Sequence, residues 1–485
     1  MLASSLVPGT SYAVRIETQP AGEACAVAGG VGTIQSAHVT DVLVTCSDLS
    51  FAVGGTISGL TSSGLVLANG SNTLAVMPGA SSFTMPTPVV YGDAYAVTVQ
   101  TQPSGLACSV SNGTGTMGAA GVTSVSIVCV PNFTLLYSFA GGSSDGSDPY
   151  HCLIEATDGD FYGTTLAGGA HSGGTIFEIT QSGAESVFFS FASMPFACLT
   201  QGSDGNFYGT TASGGSSGRG TVFEITPSGT ETTLYSFPAG ASQPYTGLIQ
   251  GSDGNFYGTT GANGTSDDGT VFEITSSGVK TVLHAFPKGT SSDGQIPYAG
   301  LVEGSDGNFY GTTYFGGSSD LGTVFMVTPS GAETVLYSFT GGSDGASPYA
   351  GLIEGRDGNL YGTTYAGGTS GLGTAFKITP SGTETVLYSF AGGSTDGANP
   401  EAGLTEGPDG NFYGTTFLGG ASNLGTVFKL TPGGTETVLH AFAGGASDGA
   451  KPTANLVQGS DDNLYGSTNA GGPSGNGTFF KVTLP

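Results

Sequence analysis

Residues 204–211 read Asp-Gly-Asn-Phe-Tyr-Gly-Thr-Thr, and residues 220–226 read Gly-Thr-Val-Phe-Glu-Ile-Thr. The first phrase, or a near copy, begins at Asp158, Asp204, Asp253, Asp306, Asp357, Asp409 and Asp461, and a version of the second follows each time. Successive starts lie 46, 49, 53, 51, 52 and 52 residues apart, the period of a four-stranded propeller blade. Asp-Gly is a hairpin signal, because the tight primed turns need positive φ and Gly permits it; Pro-Ser-Gly at 227–229 serves the next turn. Apolar residues stand side by side, as Phe207 with Tyr208 and Val222 with Phe223. Neighbours in a strand point to opposite faces, so both faces of each sheet must be buried, which suits a blade packed between copies of itself. No long window shows a 3.6-residue period, and Gly disfavours helix by roughly 1 kcal/mol per residue.

The repeat region opens on a strand of the fourth type, Leu135-Leu136-Tyr137-Ser138-Phe139, and closes on one of the third type, Thr478-Phe479-Phe480-Lys481-Val482. If the opening strand completes the last sheet, both free edges vanish. The expected fold is therefore all-β, with a seven-bladed β-propeller over residues 131–485 closed by its N-terminal strand.

The 87 Gly and 23 Pro approach the composition of low-complexity chains, but 20 Tyr and 28 Phe recur at fixed repeat positions, which a solvated coil would not need. Nine Lys plus Arg against 36 Asp plus Glu give a net charge of −27. With no basic cluster to displace counterions, nucleic acid is excluded as a partner, and anionic membrane surfaces are disfavoured likewise. No apolar run approaches the roughly 18 residues of a membrane span, so no membrane insertion is expected. The start, Met1 to Gly9, lacks a basic leader and an apolar core, and an export signal is expected upstream of it.

A second kind of repeat precedes the first. Residues 10–25 reappear as residues 93–108 at an offset of 83, which maps Tyr12 on Tyr95, Cys25 on Cys108 and Cys46 on Cys129. The second copy owns a front half, residues 50–86, that the first lacks. Short alternating strands such as Tyr95, Val97 and Val99 suggest a small immunoglobulin-like sandwich over 49–130 and a truncated one over 1–48. Each copy carries two cysteines 21 residues apart, placed to meet across an antiparallel pair as disulfides Cys25–Cys46 and Cys108–Cys129, with buried free thiols as the competing reading. Disulfides would place the protein outside the cytoplasm. Cys152 and Cys198 occupy one repeat position in adjacent blades, where a bridge competes with two small buried residues standing in for Gly.

The phrase Asp-Gly-Asn-Phe-Tyr-Gly-Thr-Thr, followed by Gly-Gly and by Gly-Thr-Val-Phe-Glu-Ile-Thr-Pro-Ser-Gly, resembles the Gloeo/Verruco (GloVer) tandem-repeat family of bacterial surface or secreted proteins over residues 133–485. The resemblance implies export and, commonly, a C-terminal anchor, which is not expected in a chain ending Val482-Thr483-Leu484-Pro485. It implies no activity and no catalytic residues. The front modules resemble immunoglobulin-like spacers of secreted bacterial proteins.

Residues shared by all blades serve folding, so function is sought where blades differ, on the face with the longer loops. After Gly-Thr-Thr the repeats read Leu166, Ala212, Gly261, Tyr314, Tyr365 and Phe417, with Asn469 in the last; after the loop proline they read Tyr150, Phe196, Tyr245, Tyr298, Tyr349, Glu401 and Thr453. Aromatic rings beside a carboxylate suit sugars, whose C–H faces stack on Tyr or Phe. The candidate site is a glycan or peptide patch centred on Tyr314, Tyr365 and Phe417 with Tyr298, Tyr349 and Glu401; the bland alternative is that these rings fill gaps between blades. Asp145 with Asp148, and Asp267 with Asp268, are candidate Ca²⁺ ligands, although they miss the Asp-x-Asp-x-Asp-Gly spacing and solvated turn carboxylates compete. The expectation is a monomeric, non-catalytic extracellular or cell-surface recognition module for a glycan or surface protein. A secreted hydrolase or lyase acting on carbohydrate, or a structural surface or matrix protein, are the alternatives.

Overall fold

The computed structural model describes residues 6–196, 198–241, 243–261, 267–289 and 292–484, apart from the side chains of His151, Cys152 and Asp267. Among these residues the fold is all-β, with one short 3₁₀ turn at Gly445–Ser447. The described chain divides into two compact units, residues 6–132 and 133–484.

In the first unit, residues 49–131 form two four-stranded sheets. One contains Val66–Asn69, Asn72–Ala75, Ala94–Thr101 and Thr114–Thr116; the other contains Val53–Ser58, Ser82–Thr84, Leu106–Ser111 and Val122–Pro131. Leu67 and Val97 from the first meet Val53, Phe83, Val125 and Ile127 from the second in one core. Cys108 lies directly opposite Cys129 in the ladder and is bonded to it, so this bridge joins neighbours within a sheet. The first copy repeats the arrangement: Cys25 opposes and bonds Cys46, and Tyr12 pairs with Gly32 as Tyr95 pairs with Gly115. Gln19 brackets Cys25 with two hydrogen bonds as Gln102 brackets Cys108. Replacing Cys108 and Cys129 by Ser is expected to cost about 3 kcal/mol through the added entropy of the unfolded chain. For a domain of this size that lowers its calorimetric Tm by roughly 10–20 °C.

The second unit contains seven four-stranded antiparallel sheets among the described residues. The fifth is typical, with Ile353–Glu354, Leu360–Thr364, Thr374–Ile378 and Glu384–Ser389 in spatial order. Its second strand is buried along its whole length, as expected of neighbours pointing to opposite faces. The seventh sheet is Val457–Gln458, Leu464–Thr468 and Thr478–Val482, completed by Phe133–Ser138 on its outer edge.

The repeated phrase builds both the turn and the contact to the next sheet. Asp253 accepts from the Asn255 N–H (3.0 Å), the Asn255 side-chain amide (2.8 Å) and the Tyr257 hydroxyl (2.9 Å), while Gly254 takes φ +86° in the turn. The Tyr-to-Asp bond recurs in all seven sheets. The Tyr ring then packs on the next sheet: Tyr257 lies 3.9 Å from Phe309 between ring centroids, and Tyr465 of the seventh sheet lies 4.2 Å from Phe161 of the first. Polar clasps follow the same sequence, with Glu303 holding Ser252 and Glu155 holding Ser460. Seven apolar clusters thus join each sheet to its neighbour and the seventh to the first.

Candidate functional site

The longer loops are fixed by a device that the sequence does not advertise. In five repeats the residue before the loop proline has positive φ without being Gly: Asp148, Ile296, Ser347, Asn399 and Lys451, at 53–58°. Each donates its N–H to the preceding sheet, as Asn399 does to the Leu372 carbonyl. From Ile296 onward each also accepts from the following sheet, as Asn399 does from the Phe417 N–H. The proline behind it lies over a glycine of the preceding sheet. At Gly373 (φ +98°) a Cβ would fall 2.8 Å from Pro400 and 2.3 Å from the Thr364 carbonyl, so no side chain fits. This clamp sets the aromatic series after the proline and the series after Gly-Thr-Thr side by side.

The result is a crown of rings. Tyr150–Phe196, Phe196–Tyr245, Tyr245–Tyr298 and Tyr298–Tyr349 stand 5.2, 5.4, 6.0 and 5.5 Å apart between ring centroids. The hydroxyls of Tyr150 and Tyr349, from the first and fifth sheets, meet at 3.5 Å. Beneath lies a cavity of about 70 Å³ lined by Phe196, Tyr245, Tyr298, Tyr349, Glu401 and Thr453, among others. Pockets that engulf small molecules run to roughly 300 Å³ or more, so a ligand of that size would rest on the crown and not enter the axis. Glu401 is the single carboxylate among the described lining residues, and burial pushes its carboxyl up to about 7 against the opposing pull of Lys451. Burial likewise raises the Tyr150, Tyr298 and Tyr365 hydroxyls.

The structure gathers the six expected residues. Tyr314 packs edge-on against Tyr298 (5.6 Å) and Tyr349 (6.0 Å); Tyr365 senses the charge of Glu401; and Phe417 carries the Lys451 ammonium 5.4 Å from its ring centre. All six are half-buried, so they both pack and face solvent. The centre differs from the expected one. The inner circle is the series after the proline, and Tyr314, Tyr365 and Phe417 flank it. Tyr150, Phe196, Tyr245 and Lys451 also belong to the site. The repeat register already aligned the first three with Tyr298; only closure of the sheet sequence brings Tyr150 to Tyr349, 199 positions away.

The other candidates separate. Asp145 is 5% exposed and accepts from the Tyr137 hydroxyl and the Ala140 and Gly146 N–H groups, so its carboxylate anchors its own loop. Asp268 lies 4.0 Å from Lys288, and the side chain of Asp267 is outside the described residues. Neither Asp145, Asp148 nor Asp268 falls in a described group of three ligands able to share a cation. Cys198 is disulfide-bonded, while the side chain of Cys152 lies outside the described residues.

Residues 94–305 and 278–480 match the Gloeobacter/Verrucomicrobia repeat, well over half of the chain. The chain belongs to that family. No curated protein matches it. Among solved structures it is similar to the WD40 β-propeller domain of Doa1, at 13% identity and TM-score 0.47, over 72% of this chain and 96% of that one. It is also similar to a glucose dehydrogenase at 15% identity and TM-score 0.40, over 73% and 100% of the two chains. A third likeness is to the extracellular domain of what is described as a hybrid two-component system from B. thetaiotaomicron. There the identity is 10% and the TM-score 0.45, with 70% of this chain but only 40% of the other covered. These likenesses concern fold alone.

Proposed function

We infer that the seven sheets are the blades of one propeller closed by Phe133–Ser138, that residues 49–130 are an immunoglobulin-like module, and that the whole is an extracellular or cell-surface recognition protein. Two cysteine bridges in the front unit support an oxidising compartment. The propeller binds a glycan at the crown. The carrying observation is the continuous run of half-buried rings from Tyr150 to Tyr349, flanked by Tyr314, Tyr365 and Phe417, with Glu401 and Lys451 as hydrogen-bonding groups beside them. Stacking platforms of this kind favour the C–H faces of pyranoses, and a shallow site suits a chain end or a linear segment.

The test is a broad glycan array probed with the full chain, with and without Ca²⁺. Selective hits are expected. Replacing Tyr314, Tyr365 and Phe417 together by Ala should lower affinity at least about tenfold while the melting transition persists. Loss of folding in that variant would assign the rings to packing, and a blank array would redirect the search to a protein partner. One observation favours a second reading: Glu401, held protonated to about pH 7, has the character of a general acid. Glycoside hydrolysis by the usual route needs a second carboxylate, and release of reducing ends from the array hits decides that question.

A further inference from the structure

One station on the fourth strand of each sheet varies in an informative way. It is Tyr137, Phe189, Tyr235, His284, Tyr337, Tyr388 and His440. Where Tyr stands opposite the acid of the next loop, its hydroxyl donates to it: Tyr137 to Asp145, Tyr337 to Asp344 and Tyr388 to Asp396. The neighbouring sheet adds a glutamate to the same interface, Glu185, Glu384 or Glu436, through its own fourth strand.

In the third and sixth sheets an imidazole replaces the phenol, exchanging a hydroxyl donor for a nitrogen with a lone pair. At His440 the set is incomplete. Asp448 is 3.1 Å away, but the place of the glutamate is held by Phe133, stacked on the imidazole at 3.6 Å. At His284 the set is complete. His284 Nε2 lies 3.2 Å from Asp293 Oδ2, and Glu333 arrives from the fourth sheet with ligand atoms of all three within 4.8 Å of one another. Asp293 Oδ1 is held by the Gly294 N–H at 2.7 Å, which aims Oδ2 at the imidazole. Glu333 Oε1 is buried and accepts no hydrogen bond. His284 and Asp293 remain 20% and 16% exposed, enough for an ion to enter from solvent.

We propose that His284, Asp293 and Glu333 bind a divalent transition-metal ion, Zn²⁺ in the first instance, that staples the third sheet to the fourth. One imidazole nitrogen with two carboxylate oxygens is a borderline donor set that suits Zn²⁺, whereas Ca²⁺ takes six to eight oxygens. Tetrahedral zinc at about 2.0–2.1 Å from each ligand sets its donors about 3.3 Å apart, close to the His284–Asp293 separation. Water would complete the shell. Among the described residues the other group of suitable composition, Glu23 with Cys25 and Cys46, has both sulfurs in a disulfide.

The experiment titrates ZnCl₂ into the chelator-stripped full chain by calorimetry, in excess Ca²⁺ and Mg²⁺ to occupy the many exposed acids, and follows Tm in parallel. One equivalent should bind and raise Tm, and Co²⁺ in its place should give a visible d–d band. His284→Tyr, the residue that the fourth and fifth sheets carry at this station, should keep the fold and lose both the tight equivalent and the cobalt band. His440→Tyr should keep both. Glu333→Gln should weaken binding at least tenfold, and it serves as the probe if H284Y fails to fold. Absence of a tight equivalent in the parent chain overturns the site. So does binding to folded H284Y or E333Q as strong as to the parent.

Discussion

A chain that begins at Gly141 is expected not to form a soluble, cooperatively melting ring, whereas one that begins at Phe133 should. The eight residues removed include the strand Phe133–Ser138, whose partner Thr478–Val482 is then left as an open edge. That edge carries Phe479 and Phe480, both fully buried when the strand is in place. Phe133 also leaves its stack on His440 and its contacts with Phe442 and Phe480. Phe139 leaves the cluster in which Leu153, Phe161, Phe177 and Tyr465 join the first sheet to the seventh. Burying each large aromatic stabilises by roughly 1.5–3 kcal/mol, so several lost together approach the whole ~5–15 kcal/mol that holds a typical domain folded. The freed edge is also a template for intermolecular pairing. Size-exclusion chromatography and calorimetry of the two chains decide the matter. Adding a peptide of residues 133–139 should shift the shorter chain toward monomer. A monomeric chain from Gly141 with an unchanged Tm would show that side-chain packing alone closes the ring.

This strand was legible in the sequence because a count of strand types leaves one unmatched at each end. The turn Asp253-Gly254-Asn255 and the opposition of Cys108 to Cys129 were legible too, since each depends on residues close in sequence or on register within one hairpin. The crown was legible only in part. Repeat alignment placed Tyr298 and Tyr349 at one station, but nothing local says that Tyr150 reaches Tyr349, because that contact exists only once the three intervening sheets fix the curvature. The backbone at Ile296 was not legible either: a β-branched residue at φ 55° before proline runs against local preference, and tertiary hydrogen bonds on both sides hold it there. Asp145 shows the reverse ambiguity. Ser-Asp-Gly reads equally as a cation loop or as a loop anchor, and the deciding partner, the Tyr137 hydroxyl, comes from the preceding sheet.

The same interfaces make stability depend on pH in a direction opposite to ordinary acid denaturation. Glu185 faces Asp145 and Tyr137, Glu384 faces Asp344 with Tyr337, and Glu436 faces Asp396 with Tyr388. Burial, then the neighbouring aspartate, pushes each of these three glutamates from 4.5 up to about 7. The buried Oε1 of each has no hydrogen-bond partner, so at that oxygen no donor stabilises the charged form. Between pH 4.5 and about 7 the folded chain therefore binds more protons than the unfolded one, so stability is fully present below 4.5 and is lost as pH rises through 7. Asp409, held down to about 2 by Lys429 and its turn partners, titrates well below this window and leaves the slope untouched. Allowing for solvent screening at half-buried sites, each pair contributes roughly 1 kcal/mol, and the three together shift Tm on the order of 5 °C. Calorimetry should thus find the ring melting higher at pH 5 than at pH 8. The triple variant Glu185→Gln, Glu384→Gln, Glu436→Gln keeps shape and removes these three titrations, so its Tm should fall less than the parent's from pH 5 to pH 8 and should exceed the parent's at pH 8. The remaining slope comes from Glu333 and Glu401, which burial also raises to about 7. An equal fall in parent and variant would assign the slope to general repulsion in a chain of net charge −27 and remove the carboxyl pairs from the account.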